Sequence, residues 1–492
     1  MTILVATFFY YMNSSKSILF LAIALFSLVK LNAQENGKIE ITRDKDNPEF
    51  DLDLLPASFH QGRREALKTM LPDSTIAVFF ASPIRNRSND VDYEYHQDPD
   101  FYYLTGLREP DAMLILSKND IRINGEVSNE FLFIREKNQH DLTWNGWMYG
   151  VDGAKKILKI KSVMDGAKFA DIKLPFEKIN HVLIKPDKND ARDNDDNPGD
   201  IASLRNHLYE MVQKVGKKQL KEDYLVFRMA ELREIKLPEE IDLMRKAIQI
   251  TCKGLNESMR WTKPNIKEYE AEAVIEYYFK KHGSEYPGYP SICGGGENAT
   301  ILHYNTNRRI VKDGELLLLD VGAEYHGYTA DVTRTFPVNG KFTEAQKIIY
   351  NIVLEAQNAG IAQAKPGNKF WAPHNAAFAV VQKRLLELGI IKKAGDAKQY
   401  FMHGTSHYLG LDVHDAGTFN FLKPNSVITV EPGIYIPEGS DCDSKWWNIG
   451  IRIEDDILIT PSGNENLSIS SPRSIEEIEK LMTEKSIFEE IE

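Results

Sequence analysis

Residues 315–337 read ELLLLDVGAEYHGYTADVTRTFP, and this stretch carries both a folding signal and candidate site residues. Two strand-like runs flank a polar centre at Tyr325-His326-Gly327, a pattern that predicts an antiparallel hairpin. With the turn centred on Tyr325 and His326, Asp320 and Asp331 become direct cross-strand partners, about 5 Å apart on one face. Facing carboxylates repel unless one is protonated or a cation lies between them. The continuous apolar run before Asp320 indicates a buried strand, which favours a metal or acid pair over a polar surface hairpin.

A second segment, residues 400–415 (YFMHGTSHYLGLDVHD), concentrates three of the twelve histidines of the chain, namely His403, His407 and His414. The first two are four residues apart, as in zinc-protease helices. Gly404, however, occupies the place of the glutamate that this zinc motif requires, so that reaction class is not supported. Any one of these histidines alone would more often be structural, and it is their density that marks the segment.

Two further strand-like segments each carry an acid that is expected to face inward. Residues 427–435 read VITVEPGIY and contain Glu431, and residues 449–460 read IGIRIEDDILIT and contain Glu454. Because side chains alternate along a strand, Arg452 and Glu454 share a face. The alternative is that either acid is exposed on an edge strand.

Residues 291–304 (SICGGGENATILHY) combine a glycine run with a histidine. The glycines suggest a phosphate cradle only weakly, since no Lys followed by Ser or Thr comes after them. A tight turn that positions His303 is the better interpretation.

Taken together, these segments supply four carboxylates and one imidazole: Asp320, Asp331, His407, Glu431 and Glu454. Oxygen donors with a single nitrogen suit manganese or a similar divalent ion, and this many anions would balance two ions. Two metals bridged by a water would provide a hydroxide nucleophile at neutral pH and would stabilise a tetrahedral oxyanion.

The composition limits the classes of function that are open to the chain. Its 492 residues are too many for one ordinary core, so two folded domains are expected. The 60 lysines and arginines against 72 aspartates and glutamates give a net charge of −12. A chain this acidic lacks the broad cationic surface that nucleic acid or anionic lipid requires. The sequence therefore predicts a globular enzyme or a binding protein for small ligands.

The first 33 residues form a predicted secretory signal. Residues 18–29 (ILFLAIALFSLV) are an apolar run of twelve that follows Lys16, and Ala33 precedes the polar stretch that begins at Gln34. The run is shorter than the ~20 residues that span a bilayer, although an uncleaved anchor helix is the alternative. We expect translation to begin at Met12, cleavage near Ala33, and export to the periplasm or the medium. Three cysteines allow at most one disulfide there, and free buried thiols are the expectation.

The remaining chain divides by its patterning. Short predicted strands at residues 76–81, 113–116 and 131–135 alternate with helical stretches, and helical periodicity then dominates residues 238–259 and 267–281. We predict a signal peptide at 1–33, an N-terminal domain at 34–230, a catalytic domain at 231–475 and an acidic C-terminal helix at 476–492.

The order of these motifs resembles that of the pita-bread metallopeptidases, and specifically their aminopeptidase P branch. Residues 61–64 (QGRR) and 98–111 (DPDFYYLTGLREPD) resemble the N-terminal domain of that branch. The resemblance implies an α+β protein, with a C-terminal pita-bread (creatinase/aminopeptidase-like) catalytic domain preceded by a smaller α/β N-terminal domain. It also implies hydrolysis of the bond between an N-terminal residue and proline, two metal ions, peptide substrates with proline second, and a homo-oligomer.

The same resemblance implies a role for each candidate residue. Asp320 would chelate one metal and His407 would complete the other, while Asp331 and Glu454 would bridge both. Glu431 would be a ligand and would accept the proton of the bridging water. The residues that would hold substrate and stabilise the tetrahedral intermediate are His303, His403 and His414. Arg452 would orient the carboxylate of Asp320.

Other members of this fold remain alternatives. A prolidase must bind the free carboxylate of a dipeptide, but between His414 and Glu431 the chain has no Arg and only Lys423. A methionine aminopeptidase would not need the first domain. A metal-free creatinase-like hydrolase or a catalytically silent binding module would have lost ligands, whereas every ligand position is filled here. The connection at residues 416–426 (AGTFNFLKPNS) is short for the family, and we expect it to alter the preference for peptide length.

Overall fold

The computed structural model describes residues 51, 53–185, 197–215, 219–221 and 223–488. From Asp53 onward these residues belong to one compact unit. The predicted signal segment at 1–33 lies outside the described residues. Within the described part of the chain, every helix is too short or too polar to cross a bilayer.

The first half is built on a mixed six-stranded sheet with the strand order β6-β5-β4-β1-β7-β8. Its central strand β1 pairs antiparallel with β4 and parallel with β7, and it is buried along its whole length. The three strands predicted here are confirmed as β1, β4 and β5. The strands of this half, including a small hairpin formed by β2 and β3, are β1 (Thr75–Phe80), β2 (Asn86–Ser88), β3 (Val91–Asp92), β4 (Met113–Ile123), β5 (Glu126–Ile134), β6 (Ser162–Asp165), β7 (His181–Ile184) and β8 (Gln219–Lys221).

Helices cover this sheet. They are α1 (Ala57–Met70), α2 (Pro99–Thr105), α3 (Gln139–Trp144), α4 (Gly150–Ile157), α5 (Ile201–Val215) and α6 (Asp223–Arg233). The sequence dictates both ends of α2. The Asp98 side chain accepts a hydrogen bond from the backbone N–H of Phe101, Pro99 fills the first helical position, and Gly106 ends the helix at φ +74°.

The second half begins with two long helices. The predicted domain boundary between residues 230 and 231 lies within α6, shortly before that helix ends at Arg233. Helix α7 opens with Pro238, and the Glu240 carboxylate accepts a hydrogen bond from the Leu237 N–H, so its first turn is capped. The helices of this half are α7 (Pro238–Trp261), α8 (Glu268–Lys281), α9 (Glu344–Gln363), α10 (Ala372–Glu387) and α11 (Ile475–Leu481).

Four small sheets make up the strand-rich part of this half: β10-β11-β14, β13-β12-β9, β15-β18-β19 and β16-β17. Strand β11 is buried along its whole length, as its leucine run predicts. The strands are β9 (Tyr286–Pro287), β10 (Ile292–Gly295), β11 (Leu316–Val321), β12 (Ala323–Tyr325), β13 (Tyr328–Thr329), β14 (Val332–Pro337), β15 (Val427–Val430), β16 (Gly433–Ile436), β17 (Ile449–Arg452), β18 (Asp455–Thr460) and β19 (Gly463–Asn466).

The predicted hairpin forms, but its predicted register was wrong. Its turn is centred on His326 and Gly327, which adopt φ +50° and +86°. A two-residue hairpin turn of this type needs two positive φ angles, and glycine supplies the second without strain. Moving the turn centre by one residue moves each partner by two, so Asp320 pairs with Thr333 rather than with Asp331. Because two residues are one full strand period, Asp331 still faces the side of Asp320.

The acidic C-terminal helix is shorter than the predicted segment. Helix α11 ends at Leu481, and the described residues that follow form turns. Ile475 and Ile478 of this helix are buried in the main core. The three cysteines carry free thiols, and Cys252 and Cys293 are buried as expected.

A buried charge network ties the two halves together. Arg233, at the end of α6, donates to Asp100 of α2 at 2.7 Å and also pairs with Asp415. Lys236 donates to the second oxygen of Asp415 at 2.8 Å. Asp415 directly follows His414, so residues from the first half hold the chain beside a candidate site residue.

We expect Arg233→Met to lower the free energy of unfolding by about 3 kcal/mol, because a buried charge network loses one partner. The matched control is Arg245→Met, which removes an exposed pair with Glu465 and should cost less than ~1 kcal/mol. Equilibrium unfolding in urea measures both variants. Equal effects of the two substitutions would contradict this role of Arg233.

Candidate metal centre

The hairpin brings two of the candidate carboxylates to one hydroxyl group. The Tyr289 hydroxyl lies 2.6 Å from an oxygen of Asp320 and 2.6 Å from an oxygen of Asp331. A bend between β11 and β12 makes this possible. A Cβ at Gly322 would lie 1.8 Å from the carbonyl oxygen of Ala330, so only glycine allows the chains to approach this closely.

The other two acids lie in breaks between strands rather than within the predicted strand runs. Glu431 follows β15 and precedes β16, while Glu454 lies between β17 and β18. Strand β15 pairs with β18, and β16 pairs with β17. The chain therefore passes from one sheet to the other at each of these two acids. At each break the backbone N–H of the acid leaves the strand ladder and donates to a neighbouring segment, Glu431 to the Thr405 carbonyl oxygen and Glu454 to that of Thr333. Both side chains line the cavity. The Thr333 hydroxyl donates to Glu454 at 2.5 Å.

The orientation of His407 suits a metal ligand. Its Nδ1 lies 3.0 Å from the carbonyl oxygen of Tyr408, so an Nδ1–H can donate there. Its Nε2 then presents a lone pair 3.3 Å from Asp331 and 3.6 Å from Glu431. Such a hydrogen bond to the second ring nitrogen is the usual way in which proteins fix a metal-binding imidazole.

The donor set fits divalent metal ions. One ligand atom from each of Asp331, His407 and Glu454 lies within 4.8 Å of the others. Asp320 and Glu431 line the same cavity. Four carboxylates and one imidazole are mainly oxygen donors, which suit divalent cations. The predicted ligands therefore come together, although they lie up to 134 positions apart in the sequence.

The pKa values reflect how closely these acids are crowded. Burial raises the pKa of Glu431 to about 7, and the charge of Asp331 adds to the effect. Burial and the neighbouring carboxylates raise the pKa of Glu454 well above its usual range, and burial also raises that of Asp331. Burial disfavours the protonated form of His407, but its hydrogen bond to Asp331 and two nearby carboxylates raise its pKa to about 9. Without metal, protons therefore partly replace the missing positive charge.

Arg452 occupies the position beside Asp320 that the sequence indicated. Its guanidinium donates to Asp320 at 2.5 Å and to the Tyr435 hydroxyl at 2.7 Å. Its Nε lies 3.2 Å from the Thr333 hydroxyl, which in turn contacts Glu454. Arg452 and Glu454 thus share one face, as strand alternation predicts.

The three remaining candidate histidines line the same cavity, which has a volume of about 650 Å³: His303, His403 and His414. His403 Nε2 lies 2.8 Å from the Tyr435 hydroxyl, and its Nδ1 lies 2.7 Å from the Gly404 carbonyl oxygen. Burial lowers the pKa of His403 to about 3, with the charge of Arg452 contributing. His403 is therefore neutral near pH 7, with Nδ1–H as donor and Nε2 as acceptor.

The sequence interpretation missed two tyrosines, Tyr289 in the cavity wall and the buried Tyr435. Tyr289 links two acids, and Tyr435 links Arg452 to His403. Tyr435 ends one of the quoted motifs, but nothing in its spacing marks it as part of the site. A single tyrosine in a strand is usually a core residue, so only the folded arrangement distinguishes these two.

Comparisons with known proteins agree with this geometry. A model of metallopeptidase family M24 matches residues 242–461, and a model of the aminopeptidase P N-terminal domain matches residues 60–178. The Xaa-Pro aminopeptidase of Escherichia coli is 38% identical over 441 residues, covering 86% of this chain and 97% of that protein. The chain belongs to metallopeptidase family M24. Human Xaa-Pro aminopeptidase 3, at 31% identity over 439 residues, covers 86% of this chain and 84% of that protein.

Solved structures of the family extend the match to the fold. E. coli aminopeptidase P with the inhibitor Pro-Leu superposes with a TM-score of 0.78 at 35% identity, covering 87% of this chain and 99% of that one. A variant of the same enzyme in complex with substrate gives a TM-score of 0.79. The expected architecture, a pita-bread catalytic domain after a smaller N-terminal domain, is confirmed.

Because these ligands must lose protons to bind metal, we expect metal binding to release at least one proton at pH 7. His407, with its pKa of about 9, is protonated at that pH, and Glu431 is about half protonated. Affinity should therefore increase as the pH rises from 6 to 9. Titration calorimetry of metal-free protein in two buffers of different ionisation enthalpy counts the protons. His140→Gln, an exposed histidine on α3, should release the same number. A binding enthalpy that is independent of the buffer would contradict the ligand set.

Proposed function

We propose that this protein is a dinuclear metallo-aminopeptidase that removes the N-terminal residue preceding proline from peptides. One observation carries the proposal: all five predicted ligands and all three predicted substrate-binding histidines line a single cavity. A catalytically silent relative would be expected to lack part of this set. The relatives named above that share both domains are called Xaa-Pro aminopeptidases.

The bound ions would supply Lewis acidity toward the scissile carbonyl and would lower the pKa of an attacking water. The residues of the chain would do the remaining work. The Glu431 carboxylate would accept a proton at Oε1 or Oε2. Neutral His403, with its Nδ1–H donating to the Gly404 carbonyl and its Nε2 accepting from Tyr435, would help to hold the substrate. Arg452 would hold the Asp320 carboxylate in one orientation. His303 and His414, which are exposed at the cavity mouth, would bind the substrate backbone.

A preference for proline follows from the chemistry of the scissile bond. The nitrogen of an Xaa-Pro bond carries no hydrogen. A cavity wall without a hydrogen-bond acceptor opposite that nitrogen therefore accommodates proline, whereas the N–H of any other residue at this position would stay unpaired. Apolar side chains for packing against the pyrrolidine ring lie in the same cavity, namely Pro290, Ile292, Leu302 and Val413.

Manganese is the ion that we propose for both positions. Four carboxylates and one imidazole form a set of mainly oxygen donors, which Mn²⁺ accepts readily. Zinc sites use more nitrogen or sulfur donors, so this set favours manganese over zinc.

A prolidase is the second candidate, and the structure provides an argument against it. That enzyme would need a cation for the free carboxylate of a dipeptide. Lys423, the one cation between His414 and Glu431, is 3.1 Å from the buried carboxylate of Glu234. A lysine engaged in this way is not available to a dipeptide without losing that pair.

We further propose that the chain is exported and that it forms a homo-oligomer. Export is supported by the apolar run at 18–29 and the small residue Ala33 before Gln34. The intact masses of the precursor and of the exported protein test the start at Met12 and the cleavage near Ala33. The oligomer rests on resemblance to the family.

The substrate preference can be tested with one mixture. Mature protein that begins at Gln34 is stripped of metal, resupplied with Mn²⁺ and offered equal amounts of an Xaa-Pro dipeptide and an Xaa-Pro-Yaa-Zaa peptide. We expect the longer peptide to lose its first residue while the dipeptide is spared. Mass spectrometry follows both. Cleavage of the dipeptide alone would identify a prolidase instead.

Asp331→Asn provides the inactive control for that assay. Loss of this carboxylate should abolish turnover, because it removes a ligand at the centre of the cluster. Asp441→Asn changes an exposed aspartate that pairs with Lys392 and should retain full activity. A folded Asp331→Asn variant with normal activity would overturn the site.

A further inference from the structure

The cavity has an acidic interior and an open mouth. The carboxylates of Asp320, Asp331 and Glu454 are buried, whereas His303 and His414 are exposed. On the proposed function, on which this inference rests, the N-terminal residue of a peptide lies beside the acids that hold the metal ions. The rest of the peptide must therefore leave through the mouth.

An exposed tryptophan lies at this mouth. Gly404 lines the cavity and is itself exposed, so no side chain closes the cavity at this point. A Cβ at Gly404 would be 3.7 Å from the indole ring of Trp371, which directly precedes α10. Trp371 is 52% exposed. A peptide that passes over Gly404 would reach this ring next.

Two more exposed aromatic residues, Phe419 and Phe421, lie on the connection that pairs with the residues before α10. The backbone N–H of Phe370 donates to the carbonyl oxygen of Asn420 at 2.9 Å, and Lys369 forms an isolated bridge with Phe421. These bonds hold the short connection at 416–426 against the residues that precede α10. The exposed fractions of Phe419 and Phe421 are 46% and 53%. We call the surface formed by Trp371, Phe419 and Phe421 the aromatic ledge.

The ledge rests on a buried aromatic base and is therefore rigid. Phe370, which is buried, packs edge-on against Trp371 with ring centroids 5.8 Å apart and against Phe419 at 4.9 Å. Tyr408 also contacts Phe419, at 5.3 Å. Aromatic pairs in such geometries attract each other beyond the gain from burial alone. The two exposed rings are thus held in place before any ligand arrives.

Phe419 is also held in an unfavourable backbone conformation. Its φ of +54° lies in the left-handed region, which costs a residue with a Cβ of order 1 kcal/mol. The result of this strain is a large apolar side chain that is half exposed rather than buried. Part of the ring packs on Phe370 and Tyr408, and the remainder is open to a ligand.

We propose that the aromatic ledge is a subsite for apolar side chains of the peptide residues that follow the proline. Continuity with the mouth at Gly404 sets the occupant, because the ledge begins where the peptide leaves the cavity. Trp371 and Phe419 determine a preference for apolar residues at the third and fourth peptide positions. Phe419 and Phe421 belong to the short connection at 416–426, so the subsite gives a physical reason why this connection would alter the choice of peptide.

The test compares two peptides of equal length, Ala-Pro-Phe-Leu and Ala-Pro-Gly-Gly. Wild-type enzyme should cleave the first with the higher kcat/KM. Trp371→Ala and Phe419→Ala should each lower kcat/KM about fivefold for the apolar peptide, mainly through KM, and less than twofold for the glycine peptide. The control is Trp144→Ala, which removes an exposed tryptophan of α3 and should change neither value.

Three outcomes of the variant measurements would overturn the ledge. One is an equal change for both peptides, and a second is no change for either. The third is a variant that keeps the wild-type peptide preference but forms a smaller assembly than the wild type in light scattering. That result would identify the ledge as a contact between copies of this chain. A wild-type enzyme that cleaves the glycine peptide without preferring the apolar one would overturn the ledge alone. Failure to cleave any Xaa-Pro peptide would overturn the proposed function and the ledge with it.

Discussion

Mutual repulsion among four carboxylates in one cavity is the constraint on which the second half of the chain depends. Burial strengthens this repulsion, as the raised pKa values of Glu431 and Glu454 show. The surrounding structure holds the acids together despite it. The Tyr289 hydroxyl contacts both Asp320 and Asp331, and the Arg452 guanidinium offsets the negative charge of Asp320. Glu431 and Glu454 lie at the strand breaks, where they line the same cavity. The negative charge of this arrangement favours the binding of cations, and two divalent ions can balance it.

The first half contributes to the site from a distance. The last helix of this half, α6, ends at Arg233. Arg233 forms ion pairs with Asp100 and Asp415 and so fixes the segment that carries His414. The network is buried, so its geometry is maintained by the cost of separating unpaired charges. The exposed residues that line the cavity come from three parts of the sequence: His303 and Asn305, Gly404, and His414. Chemistry and substrate selection therefore depend on the whole folded unit.

The sequence predicted which side chains share the cavity and was less accurate about their geometry. Asp320 and Glu454 could be found because each follows an apolar strand-like run, whereas the density of histidines and the family resemblance marked His407. The predicted hairpin register was wrong because the turn places its two positive φ angles at His326 and Gly327. The alternation of apolar and polar residues does not reveal this position. Tyr289 could not be found, since its function comes from contacts between residues that are far apart in the chain. The strand breaks at two acids depend on sheet pairing, which a local pattern does not encode.

The central claim is that five side chains of this chain hold two divalent ions in one cavity. Anomalous diffraction from crystals grown with Mn²⁺ tests this claim most directly. The account predicts two anomalous peaks enclosed by the five ligands, which are Asp320, Asp331, His407, Glu431 and Glu454. A single peak there, or ions bound only elsewhere on the protein, would contradict it.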